Sequence, residues 1–135
     1  MTEAEKKAYL SRYINACERI DYIRKRINEM RIDVENINGR TITDMPKGGE
    51  HKDIGDLIAE IVENENKLTV QEVDAIKLKY AIEEKINELD SQVERQVLIF
   101  KYIKGMTIRQ MTYEIARSKT NIYKHLERAI KNINL

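Results

Sequence analysis

Apolar residues in the first third of the chain recur with a helical period. Tyr9, Tyr13, Ala16, Ile20, Ile23, Ile27, Met30, Val34 and Ile37 share one stripe, and from Ala16 onward the steps alternate four and three. This heptad seam predicts one long helix from about Thr2 to Ile37. Leu10, Ile14 and Cys17 widen the stripe near its start. Thr2 and Glu5 have the spacing of a capping box, in which each side chain satisfies the other residue's free amide. A stripe of this kind has to be covered by another helix or another chain.

Asn38-Gly39 predicts a helix stop, because glycine tolerates the left-handed conformation that closes many helices. Pro46 and the Gly48-Gly49 pair follow, so residues 38–52 are expected to form a loop. A second helix is expected over residues 53–90, with Ile54, Leu57, Ile58, Ile61, Val62, Leu68, Val73, Ile76, Tyr80, Ile82, Ile86 and Leu89 among its apolar positions. Thr69 and Glu72 could cap a fresh start near Lys67, but no Gly or Pro supports a break there and continuity is expected. Antiparallel pairing with the first helix is the simplest way to bury both stripes. Dimerisation through the seam is the competing solution.

Three shorter helices are expected after residue 90. Ser91 with Glu94 caps the first, which runs to about Ile103 and stops at Lys104-Gly105. Thr107 with Gln110 caps the second, about Ile108 to Ala116, with Ile108, Met111 and Ile115 inward. Ser118 caps the third, about 119–134, where Ile122, Leu126, Ala129 and Ile133 form one buried stripe. The expected fold class is therefore all-α. Residues 1–90 form a long, coiled-coil-like helical hairpin for oligomerisation or partner contacts, and residues 91–135 form a separate helical domain.

Composition sharpens this picture. Charged residues make up 35% of the 135 positions and aromatics 6%, with one proline, which fits a helical protein better than a β-sandwich. No apolar run is long enough for a transmembrane helix, and MTEAEKKAYL lacks the apolar stretch of a signal peptide, so a cytoplasmic protein without membrane contact is expected. Lone Cys17 excludes an internal disulfide and reads as a small packed hydrophobe. His51 and His125 have no metal-ligand spacing, and His125 reads as structural. No cofactor site and no enzymatic constellation is expected. The net charge of +1 hides an asymmetry: +2 over residues 1–40, −7 over 41–90 and +6 over 91–135. A basic C-terminal third is the electrostatic footprint of phosphate-backbone binding.

Two short helices joined by a tight turn, with the longer and more basic one second, form the helix-turn-helix pattern. With Ile122 inward, Thr120, Asn121, Lys124, Arg128 and Lys131 fall on the outer side of the last helix. Thr120, Asn121, Tyr123 and Lys124 are the candidate contacts to base edges. Asn121 suits a bidentate contact to adenine, Lys124 a donor bond to guanine, and Tyr123 a thymine methyl or a sugar. Thr107, Arg109, Arg117, Ser118, Lys119, Arg128 and Lys131 are the candidate phosphate contacts. The Arg24-Lys25-Arg26 cluster reads first as a solvated flank and second as an aid to DNA or partner binding.

Residues 89–133 resemble region 4 of the sigma-70 family of transcription initiation factors. The resemblance rests on Glu94-Arg95 before an apolar helix, Tyr102, Gly105 and Thr107 at Tyr-x-x-Gly-x-Thr spacing, Ser118 at the turn, and Ile122, Leu126 and Arg128-Ala129 in the last helix. With the helical N-terminal extension and the Met45-Pro46 loop, the chain as a whole resembles small phage-encoded, sigma-like late-gene activators of the ArpU/RinA type. The resemblance implies a sequence-specific transcriptional regulator of phage or prophage origin acting in a bacterial host. Double-stranded promoter or operator DNA would be its partner, with RNA polymerase and a second copy of the chain as further candidates. The sequence departs from the family where Glu-Ile-Ala is usual and Gln110-Met111-Thr112 stands, where a turn glycine is replaced by Ala116, and where an aromatic is replaced by Ile108. Two other expectations stand beside this one: a DNA-packaging subunit of the small-terminase kind, and a helical protein-interaction module without DNA binding.

Overall fold

The computed structural model describes residues 1–39 and 53–135, and the described residues form helices and no strands. The all-α expectation holds. The helices are α1 (Glu3–Leu10), α2 (Arg12–Gly39), α3 (Ile54–Asn87), α4 (Gln92–Leu98), α5 (Ile108–Ile115) and α6 (Lys119–Asn132), with a π-helical turn over Ile99–Ile103 continuing α4. The loop expected over 38–52, with Met45-Pro46 and His51, lies outside the described residues apart from the end of α2. No described helix is long and apolar enough to cross a membrane.

The chain divides into two compact units, residues 18–73 and residues 1–17 with 74–135, and α2 and α3 contribute to both. The sequence reading divided the chain at residue 90. The packing instead groups the first helix and the end of α3 with the C-terminal helices.

In the 18–73 unit α2 and α3 form a hairpin. Arg24 pairs with Glu72 at 3.4 Å, and Arg31 pairs with Glu65. Seven residues forward on α2 are matched by seven back on α3, which is the register of antiparallel helices. Between these pairs lie Ile27, Met30 and Ile61, flanked by the partly buried Ile23, Val34 and Leu68. The seam is thus met within the chain. Arg24 also lies 3.6 Å from Asp21, so this member of the basic cluster is engaged by acids. α3 runs unbroken through Thr69, whose hydroxyl donates to the Glu65 carbonyl at 3.1 Å instead of starting a new helix.

The first helix is not the single element expected. It bends at Ser11, whose hydroxyl donates back to the Lys7 carbonyl at 2.8 Å. Such back-bonding by serine competes with the helical ladder and bends helices. Thr2 caps α1 by accepting the Glu5 amide at 3.2 Å. Leu10 and Ile14, which widen the stripe, lie on either side of the bend.

That extra apolar width has a purpose in the unit of residues 1–17 and 74–135. Leu10 is fully buried in its core with Ile82, Ile86 and Leu89 of the α3 end and with Val97, Leu98 and Tyr102. Met111 of α5 and Ile122, Leu126, Ala129, Ile130 and Ile133 of α6 complete the core. The Lys6 ammonium donates to the carbonyls of Ile130 and Lys131 at 3.1 and 3.2 Å. These are among the last carbonyls of α6, which have no partner within the helix, and a cation there also opposes the negative end of the helix dipole.

α4 begins at Ser91, which accepts the Glu94 amide at 3.3 Å. The return half of the expected box is replaced: the Glu94 carboxylate accepts from Asn132 Nδ2 at 2.7 Å and so ties α4 to the end of α6. Arg95 donates to the carbonyls of Leu89 and Asp90 beyond the end of α3. The π-helical turn closes with Lys104 N–H donating to the Ile99 carbonyl at 2.9 Å. Gly105 follows at φ +65°, and a Cβ there would stand 3.4 Å from Ile14 Cδ1. Both the backbone angle and the close neighbour favour glycine.

Candidate nucleic-acid interface

The interface expected from sequence is built on α5, its turn and α6. Thr107 and Gln110 form a complete capping box: the Gln110 amide donates to Thr107 Oγ1 at 3.2 Å and the Thr107 amide to Gln110 Oε1 at 2.9 Å. α5 ends at Ala116, which adopts the left-handed conformation at φ 55° and ψ 45°. Ser118 then caps α6 by accepting the Asn121 amide at 3.2 Å. The turn is therefore residues 116–118.

Ala116 is the described non-glycine residue with positive φ. For an L-residue this conformation brings Cβ toward the following carbonyl, at a cost of roughly 1 kcal/mol. Ala116→Gly is expected to raise stability by about 1 kcal/mol. In a chain of this size that is a melting temperature about 3 °C higher. Thermal unfolding followed by circular dichroism checks it, and a lower melting temperature would contradict the strain assignment.

The face of α6 turned inward carries Ile122, Leu126, Ala129 and Ile130, all buried. On the opposite side Thr120, Lys124, Arg128 and Lys131 recur at steps of four, four and three, and all four are exposed. Helical spacing puts them within one outward arc. Lys131 lies 3.9 Å from Glu127 on the same helix, a surface pair of little energetic weight. Arg109, Arg117, Ser118, Lys119 and Thr107 are exposed around α5 and the turn. Thr107 and Ser118 each accept their cap bond through a lone pair, which leaves the hydroxyl hydrogen to donate to a phosphate.

Two expected base contacts are not on the same face. Asn121 and Tyr123, two residues apart, point about 160° from each other around the helix. Tyr123 is 56% exposed and lines a cleft of about 340 Å³ with Lys101, Tyr102 and Lys7. Burial, helped by Lys7, lowers the pKa of Lys101. Burial raises that of Tyr102.

Asn121 lies on the other flank in a cluster the sequence reading missed. The Arg117 guanidinium donates to Asn121 Oδ1 at 3.0 Å and lies 3.4 Å from His125 Nε2 through the same nitrogen. Burial holds the His125 pKa below its ordinary value; Arg117, Arg128 and Lys124 add to this, while Glu94 opposes it. A neutral imidazole with Nε2 unprotonated is the form that accepts from Arg117. The signal was present as the spacing 117, 121, 125, one turn apart each time. The helical period does not disclose the cluster, because Arg117 precedes the helix and its side-chain direction does not follow from that period.

No curated protein and no solved structure matches this chain. One family does match, described as "Protein of unknown function (DUF1492)", over residues 37–134. That span takes in the end of α2, all of α3 and the whole α4–α6 segment. The chain belongs to the DUF1492 family.

Proposed function

We propose that this chain is a sequence-specific, DNA-binding transcription regulator of phage or prophage origin, with α5, its turn and α6 acting as a sigma-like helix-turn-helix. α6 enters the major groove, and the N-terminal helices serve dimerisation or contacts to RNA polymerase. The observation that carries this reading is the outward arc of α6. It presents a short hydroxyl near the N-terminal end, at Thr120, and cations beyond it, at Lys124, Arg128 and Lys131. Short polar groups where base edges are reached and long cations where phosphates run is the division of labour of a recognition helix. The charge of +6 over residues 91–135 supports it.

Selection of bound sequences from random duplex DNA at moderate salt is the test. An enriched motif is expected, and its symmetry reports whether one or two copies bind. Asn121→Ala should flatten one position of that motif, whereas Arg128→Ala should weaken all sequences about equally. If Asn121→Ala leaves every position of the motif intact, α6 does not read the groove through this face.

A second reading is supported by a separate observation. In the 18–73 unit Ile58, Val62 and Val73 are each about half exposed on α3. Apolar side chains in such a row suit a helical partner. This is the protein-interaction module, and it predicts no retention of DNA even at low salt.

A further inference from the structure

We infer that Arg117 sets the base preference of Asn121, making the two side chains one donor head that selects guanine over adenine; the inference rests on the DNA-binding reading above. A guanidinium has five N–H donors and no acceptor, so the atom 3.0 Å from Arg117 Nη1 has to be the amide oxygen of Asn121. The orientation of the amide is thereby decided, with Nδ2 directed away from Arg117. His125 Nε2, at 3.4 Å from the same Arg117 nitrogen, is a second partner that holds the guanidinium in place. Ser118, which caps α6 on the Asn121 amide, keeps the start of the helix in place beneath them.

The sequence expectation for Asn121 was a bidentate contact to adenine, in which Nδ2 donates to N7 and Oδ1 accepts from the N6 amino group. That contact needs the amide oxygen to meet a donor. Here one of its two lone pairs is occupied, and the occupant is a cation. The N6 amino group of adenine, itself a donor, would have to approach beside a guanidinium. Guanine presents acceptors at both N7 and O6 on the same edge. The Nδ2 hydrogens of Asn121 and the remaining N–H groups of Arg117 all suit those acceptors, and the positive charge strengthens the bonds. Arg117, expected from sequence to contact a phosphate, is on this reading both a donor to the base and the group that orients Asn121.

The test is sequence selection run in parallel on the full chain and three variants: Asn121→Ala, Arg117→Met and Arg117→Lys. The position flattened by Asn121→Ala identifies the base that Asn121 reads. Wild type is expected to prefer guanine there by about tenfold. Arg117→Met keeps the aliphatic stem, removes the donors and frees Oδ1, and should turn that position to adenine. Arg117→Lys restores a donor and a charge and should return it to guanine. A residue that merely held the turn or neutralised a phosphate would weaken every sequence without changing the letter. Because Arg117 is exposed, its replacement leaves the core untouched, and circular dichroism of each variant verifies the fold. Adenine at that position in wild type, or an unchanged letter in Arg117→Met, overturns this inference while DNA binding stands. No enriched motif with wild type overturns the DNA-binding reading, and this inference with it.

Discussion

Replacing Ile122 by alanine is expected to destabilise the unit that holds α4–α6 by about 3 kcal/mol. Ile122 has no exposed surface and lies where α6 packs against the rest of the core. Removing its outer carbons forfeits their transfer free energy and leaves a cavity that close-packed neighbours close only in part. The α5–α6 turn gives little room for compensation, because Ser118 and the left-handed Ala116 hold both helix ends. Urea unfolding should show a midpoint shifted down with an unchanged slope, since the area exposed on unfolding hardly alters. A thermal midpoint about 10 °C lower is the corresponding result. A shift below about 1 °C would mean that Ile122 is not part of a packed core.

The second large effect is on binding. If Arg109, Lys119, Arg128 and Lys131 neutralise about four phosphates between them, log affinity should fall against log salt with a slope near −3.6. Between 50 and 200 mM salt that is a loss of about 150-fold. Arg128→Ala should reduce the slope by about one, since it removes one released counterion. Fluorescence anisotropy on a labelled duplex measures both quantities. A flat salt dependence would mean that the outward arc of α6 does not meet phosphates and would refute the proposed mode of binding.

The residues that carry the sigma-like resemblance take on structural roles here. Tyr102 is in the core, Gly105 has the positive φ its position needs, Thr107 anchors a full capping box, and Glu94 and Arg95 tie α4 to α6 and to the chain just beyond α3. Each role follows from local chemistry, independently of what the helices bind. The residues with a stake in recognition are others, on the outer arc of α6 and in the Arg117 cluster. A match to the motif therefore speaks first for the packing of these helices.

The helical type of the elements, the caps at Thr2, Ser91, Thr107 and Ser118, the continuity of α3 through Thr69 and the buried stripe of α6 were determined by the sequence alone, whereas the bend at Ser11 and the π-helical turn over Ile99–Ile103 were not. The former depend on interactions within one helical turn or on the helical period, and both are local. Tertiary structure decided the rest. It met the heptad seam with α3 through the Arg24–Glu72 and Arg31–Glu65 register, where the seam by itself fitted a second chain equally well. Leu10 and Lys6 were drawn to the C-terminal helices, because a buried stripe says that a side chain must be covered but not by what. Glu94 turned away from its own cap toward Asn132, and Arg117 turned onto Asn121 and His125, because long side chains reach partners that sequence spacing does not name.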